Sequence, residues 1–274
     1  MKNLFMTGIF LLLFIVDGYP LGERTVAGGK PAALGGSSVA LIDFWSIANN
    51  PAGSAWLKNV SAGAWFENRF LLKALLYEKF GIALPLKSGA FGLVLAHRGS
   101  MDCHEIKAGL SYGRKFGNHF SAGVTVDYFR LDFPDEYGGK NMISCEIGLM
   151  YLPNKQLVLG AHIVNPVPIK ITTNPAELLP TAICLGASYR FSSSFIATLE
   201  AEKDLLHIPV FRAGAEYHFA APVFARIGIS TSPANLTFGF GLQFGRFTID
   251  VASEYHQVLG FSPSGSIIYC FNSR

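Results

Sequence analysis

Residues 236–244 read LTFGFGLQF, and this stretch decides the fold. In an extended chain Leu236, Phe238, Phe240, Leu242 and Phe244 share one face, while Thr237, Gly239, Gly241 and Gln243 share the other. His104 to Tyr112 repeats the arrangement, with Ile106, Ala108, Leu110 and Tyr112 opposite Glu105, Lys107, Gly109 and Ser111. Phe211 to Phe219 does so again, against Arg212, Gly214, Glu216 and His218. One wholly apolar face and one polar, Gly-rich face is the pattern of a transmembrane barrel. A soluble sandwich also alternates, but its polar face meets water and would carry many more Lys and Glu.

The rest of the chain agrees. Only 15% of its 274 residues are charged, against roughly 25% in an ordinary soluble domain, and it holds 29 Gly, 23 Phe and 10 Tyr. That combination excludes disorder, collagen and coiled coil. A net charge of +3 offers little phosphate neutralisation, so nucleic acid is not an expected partner. Lys2 and the apolar run Leu4 to Val16 read as a secretory signal, too short for a helical span, which places a leader at residues 1–18. Beyond it the longest charge-free stretch, Ile227 to Gly245, contains Pro233, Asn235 and four Gly and is no helix. An exported, apolar chain without spanning helices satisfies its backbone in lipid only as a closed barrel.

Turn signals divide the remainder into strands at 59–69, 72–84, 89–98, 103–114, 119–131, 141–152, 156–164, 180–191, 195–203, 208–219, 223–230, 236–244, 246–255 and 264–271. The expected fold is therefore all-β, an antiparallel transmembrane barrel of about fourteen strands over residues 59–271, with a tail at 272–274. Twelve strands stays open, because Asn68, Arg69 and Phe70 run on without a turn signal. Connections alternate between tight links and longer ones, the latter including Thr231 to Asn235 and His256 to Pro263. Short turns on the periplasmic side would put both termini there, in the outer membrane of a Gram-negative cell. Tyr112, Tyr128, Tyr151, Tyr189, Tyr217, Phe244, Tyr255 and Phe271 stand at strand ends, where interfacial girdles form.

Residues 19–58 do not alternate. They contain Gly35-Gly36-Ser37-Ser38, then Phe44-Trp45-Ser46, then Asn49-Asn50-Pro51-Ala52-Gly53. Gly-Gly permits positive φ and close backbone approach, and Asn-Pro before Ala-Gly is turn chemistry. A compact apolar piece fused to a barrel has the lumen available to bury it, and Asn50 to Gly53 would equally serve as the turn into the first strand. Residues 33–53 resemble the N-terminus of the FadL-type outer-membrane barrels, most closely the PorV/PorQ-like proteins associated with the type IX secretion system. The resemblance implies an N-terminal plug inside a fourteen-strand barrel, carried here by Gly35, Gly36, Trp45, Asn50, Pro51, Ala52 and Gly53. At 274 residues the chain is shorter than the large fatty-acid transporters of that superfamily.

If the aromatic face meets lipid, the lumen carries Glu105, Lys107, Asp127, Glu146, Arg190, Glu200, Arg212, Glu216 and Arg226. Both signs are interleaved, which suits cross-strand pairing that braces wall and plug rather than an ion-selective pore. Inward glycines, among them Gly109, Gly123, Gly148, Gly160, Gly214 and Gly228, either make room for the plug backbone or let the sheet curve. Seven scattered His, four distant Cys, and no nucleophile elbow or P-loop give no metal, cofactor or catalytic expectation.

Two functions follow. Resemblance to the PorV/PorQ-like group implies an accessory in protein secretion or surface assembly, with secretion-system proteins as partners. Resemblance to FadL implies passive transport of a hydrophobic small molecule. The loops read as too small for a fatty-acid groove, which ranks the accessory first. An apolar pocket between plug and outer loops would discriminate the two, and Val167, Pro168, Ile169, Ile171 and Leu178 are its candidate lining or, equally, a partner-binding lip.

Overall fold

A computed structural model describes residues 24–99, 104–132, 139–171, 178–205, 207–220 and 222–271. The expected leader and tail lie outside the described residues, as do residues 19–23 of the expected N-terminal segment and parts of five expected connections.

Among the described residues the chain forms fourteen strands closed into one antiparallel barrel, each paired with its sequence neighbour and the first with the last. They are β1 (Ser61–Asn68), β2 (Leu76–Pro85), β3 (Gly89–Gly99), β4 (His104–Phe116), β5 (Phe120–Asp132), β6 (Gly139–Tyr151) and β7 (Leu157–Val164). The ring continues through β8 (Ala182–Arg190), β9 (Phe195–Asp204), β10 (Val210–Ala220), β11 (Val223–Thr231), β12 (Ala234–Phe244), β13 (Phe247–His256) and β14 (Gly260–Cys270). Closure joins Ser61 to Cys270 and Glu67 to Ser264. Among the described residues the ring has no free edge strand, although the first residues of β14 pair with β13 alone.

The period-two reading holds strand by strand. In β12 Leu236, Phe238, Phe240, Leu242 and Phe244 are exposed on the outside, while Thr237 between them is fully buried. Cys145 faces outward with Ile147 and Leu149, and Cys184 faces inward and is buried, so the two share no face. At the end where both chain termini of the barrel lie, aromatic rings touch in pairs such as Phe91–Tyr112, Tyr217–Phe219 and Phe247–Tyr269.

Three boundaries differ from the sequence reading. The corner between β1 and β2 is made of two 3-10 turns in which Phe70 and Leu71 adopt φ of 55° and 57°. Left-handed non-glycine residues make this turn, so no Gly or Pro announced it. The β11–β12 link is Ser232–Pro233 and the β13–β14 link is residues 257–259, both tight rather than long. Pro263, placed at the end of that connection by the sequence, lies inside β14 opposite Ser253. The β1 ladder stops at Ser264, so the missing N–H falls where β14 has only one neighbour.

Residues 24–58 pack against inward-facing residues all around the ring. They form three short helices, α1 (Gly29–Ala33), α2 (Ser46–Asn49) and α3 (Pro51–Ser54). Helices this short are held by tertiary contacts rather than propensity. Helix α1 lies on β12 and β13, and α3 on β4, β5 and β6. The main apolar cluster joins Phe44, Trp45 and Ile47 of this segment to Trp65, Tyr77, Val94 and Ile268 of the wall.

Candidate functional site

The segment meets the wall at glycines. A Cβ on Gly148 would lie 2.1 Å from Asn50 Oδ1, one on Gly160 2.2 Å from the Val39 carbonyl oxygen, and one on Gly228 2.1 Å from the Gly35 nitrogen. At Gly113 and Gly123 the intruding atoms are the backbone of Pro51. These inward glycines therefore provide room for the segment's backbone, whatever they add to curvature, whereas Gly109 faces the Asp127 carboxylate instead. Of the motif residues, Gly35 (φ 71°) and Gly36 (φ 81°) make the left-handed turn after α1, and the Gly35 N–H donates to Thr237 Oγ1 at 2.8 Å. Trp45 is 1% exposed. Asn50 caps α3 by accepting from the Ala52 N–H at 3.1 Å, and its amide donates to the Val39 carbonyl at 2.7 Å. Ala52 in turn accepts from Ser121 Oγ at 2.8 Å. Pro51 opens α3, where its missing N–H costs nothing.

Ion pairs tie segment to wall at two places. Arg24 reaches Glu200 at 3.0 Å and Glu202 at 2.6 Å, and Arg212 reaches Glu202 at 2.8 Å. Glu200 also accepts the N–H groups of Ser38 and Val39 at 2.6 and 2.8 Å. Cys184 converges with these two carboxylates, which Arg24 and Arg212 already occupy. The second tie runs from Lys30 to Glu216 at 3.0 Å, on to Arg226 at 2.6 Å and to Asp250 at 2.5 Å.

A third network stands apart on the opposite wall. Lys107 bridges Asp127 at 3.1 Å and Glu146 at 2.8 Å, and His162 lies 3.0 Å from Glu146. Glu105 is buried on the same wall. Arg190, expected in the network, is exposed at the tight-turn end of β8. Its position has inward parity, but it is the last residue of the strand and falls beyond the lumen. Arg24 and Lys30 escaped the sequence reading, because nothing in a non-alternating segment marks which cation will face an acidic wall.

The longest connection splits the candidate lip. Ile169 and buried Ile171 turn inward with Leu179 onto Phe129, Leu131 and Met142, whereas Val167, Pro168 and Leu178 face outward. Asn165 fixes the fold-back, donating to the Leu179 carbonyl at 2.9 Å. Between this connection and the segment lies a cavity of only about 60 Å³, lined by Lys79, Arg98, Lys107, Asp127, Glu146 and His162 among others. Among the described residues it is a small chamber in which these charges meet Tyr77, Val94 and Phe129, and not the wide apolar pocket that would have discriminated the two functions. The large apolar recess, about 810 Å³, is instead on the outward surface, where Phe66, Phe80, Leu95 and Ile267 border small residues at Ala64 and Gly265.

No family model matches this sequence, and no curated protein matches it. Solved structures do. The chain superposes on a Pseudomonas aeruginosa FadL homologue with a TM-score of 0.71 at 12% identity, covering 90% of this chain and 99% of that one. For the CymD monoaromatic hydrocarbon channel the values are 0.69 and 14%, with 90% and 98% covered. For the Ralstonia pickettii toluene transporter TbuX they are 0.66 and 13%, again with 90% and 98% covered. This chain therefore has the fold of the FadL-type hydrocarbon channels.

Proposed function

We propose that the protein is an outer-membrane channel of a Gram-negative bacterium that passes a small hydrophobic molecule, with residues 24–58 as a plug that closes its lumen. One observation carries this reading: a fourteen-strand ring with an apolar outward face encloses a segment held by hydrogen bonds and ion pairs to the lumen wall. An apolar outward face suits hydrocarbon as solvent, and a closed ring is the sheet that hydrocarbon tolerates. Polar ties can be exchanged for water when a segment moves, which a sealed apolar core does not allow without large cost. The tight-turn end, with the paired aromatic rings, is the periplasmic end in this reading. The described lumen is filled, so passage requires the plug to shift.

The likeness of fold to hydrocarbon channels moves transport ahead of the secretion accessory that the small loops had ranked first. The test is uptake of labelled toluene by cells that lack their own hydrocarbon channels and express this chain in the outer membrane. Uptake above that of empty-vector cells is expected, and uptake equal to theirs would refute transport. A stoichiometric protein partner without any enriched small molecule, in mild-detergent extracts of native membranes, would restore the accessory reading.

A further inference from the structure

The tight-turn end of the barrel joins β2 to β3, β4 to β5, β6 to β7, β8 to β9, β10 to β11 and β12 to β13. Five of these six links carry or adjoin an exposed cation: Lys87, Arg114, Lys155, Arg190 and Arg246, in chain order. The stretches around them, residues 86–89, 113–119, 151–156, 190–194 and 244–247, contain no Asp or Glu. Among the described residues none of the five forms an ion pair. Lys58 belongs instead to the cavity at the mouth, where with Lys30 and Arg226 it faces Asp43, Glu216 and Asp250. Lys115 is half-buried over the Trp56 ring, at 4.7 Å from its centroid.

The opposite end mixes its signs. Arg69 is bonded to Glu67 at 2.7 Å and Arg130 to Asp132 at 2.8 Å, and Glu78 and Asp204 lie at the same end. A rim of one sign attracts anions, and the distribution of the five cations says which kind. They are spread round the circumference from the β2–β3 link to the β12–β13 link, so a partner docked on one side would reach only some of them. A surrounding layer touches all five. Exposed rings stand at the same end, as in Phe116–Phe120 and Tyr189–Phe191, with centroids 6.2 and 4.7 Å apart. Rings at that height mark the boundary between hydrocarbon and headgroups, and long basic side chains beside them reach the headgroups.

We propose that Lys87, Arg114, Lys155, Arg190 and Arg246 form a collar that binds the phosphate groups of anionic glycerophospholipids around the barrel. Lys and Arg make charge-assisted hydrogen bonds to phosphate oxygens, and each one near an anionic leaflet adds to the attraction. The proposal rests on the membrane placement in the channel reading and not on the passage of cargo.

The purified full chain is reconstituted in phosphatidylcholine vesicles holding a trace of spin-labelled phosphatidylglycerol or spin-labelled phosphatidylcholine. Electron paramagnetic resonance then measures the share of each label held at the protein. A preference for phosphatidylglycerol of about twofold or more is expected, averaged over all lipids in contact. It should vanish in roughly 1 M sodium chloride, where screening shortens the reach of charge to about 3 Å. Lys87→Gln, Arg114→Gln, Lys155→Gln, Arg190→Gln and Arg246→Gln together should also remove it, whereas Lys203→Gln, exposed at the opposite end, should leave it unchanged. Equal retention of the two lipids would overturn the collar, as would a preference that survives salt or the five replacements. A stoichiometric protein partner in native-membrane extracts that the five replacements release would overturn it too, by giving the rim to protein. If the five-residue variant fails to fold by circular dichroism, Lys87→Gln with Lys155→Gln decides, an unchanged preference being the refuting result. Toluene uptake can fail while the lipid preference stands, so the two readings fail separately.

Discussion

Gly228→Ala tests the seating of residues 24–58, the proposed plug, most directly. The new methyl would stand 2.1 Å from the Gly35 nitrogen and 2.3 Å from the Leu34 carbonyl carbon. Ordinary non-bonded contact needs about 3.5 Å, so plug and wall would have to separate by roughly 1.4 Å. Both intruding atoms are backbone, and no rotamer change relieves the clash. The Gly35 N–H bond to Thr237 Oγ1, 2.8 Å long, would be stretched out of range. Overpacking costs about 1–3 kcal/mol and the lost hydrogen bond about 1 kcal/mol, so the plug should be destabilised by about 2–4 kcal/mol. Hydrogen exchange of amides in residues 29–57, followed by mass spectrometry, measures this locally. Exchange in that window should accelerate by roughly thirtyfold or more, the lower end of that range. Gly109→Ala is the control, because its methyl would meet the Asp127 carboxylate rather than the plug. If Gly228→Ala exchanged like the wild type, the plug would not be seated against β11 and the account of the inward glycines would fall.

Glu200→Ala should destabilise the plug by about 3–5 kcal/mol, since it strands Arg24 and two N–H groups; Glu200→Gln, still an acceptor, should lose less, as read by the same exchange window. Deleting residues 28–53 should raise single-channel conductance in planar bilayers, and a flat conductance would show that the plug blocks no path. Asn50→Ala removes the cap of α3 and should cost about 1–2 kcal/mol in urea unfolding followed by tryptophan fluorescence. Asp43 has a raised carboxyl, so its favourable neutral form is fully present below its unfolded value and is lost as pH rises through its folded value. Plug protection should therefore fall from pH 3 to pH 7 by more in the wild type than in Asp43→Asn, and parallel pH profiles would refute it.

The outward pattern was legible because lipid-like and lumen-like surroundings impose opposite chemistry on successive residues. Leu236 to Phe244 needed no further information. Corners were legible where they used Gly or Pro, as at Gly245, and illegible at Phe70–Leu71, where packing imposes φ values those residues rarely adopt. Pro263 misled for a related reason: whether a proline breaks a strand depends on which neighbours that strand has, and this is a property of the closed ring. Parity placed Arg212 and Arg226 beside Glu200 and Glu216, but it carries no depth, and so it could not tell that Arg190 sits beyond the lumen. The plug's side of each tie was invisible, since an irregular segment has no parity at all.

The contacts of residues 24–58 also bear on the order of assembly. Ser38 and Val39 are bonded to Glu200 across more than 160 residues of sequence, and Ala33 to Thr237 across 204. Residues near the start of the segment thus find partners in strands β9 to β13, far along the chain, and contacts this distant are slow to form. Strand β1 follows the plug directly, and its pairing with β14 completes the ring. A ring that closed before residues 24–58 entered it would have to reopen to admit them, so the β1–β14 seam is expected to close late.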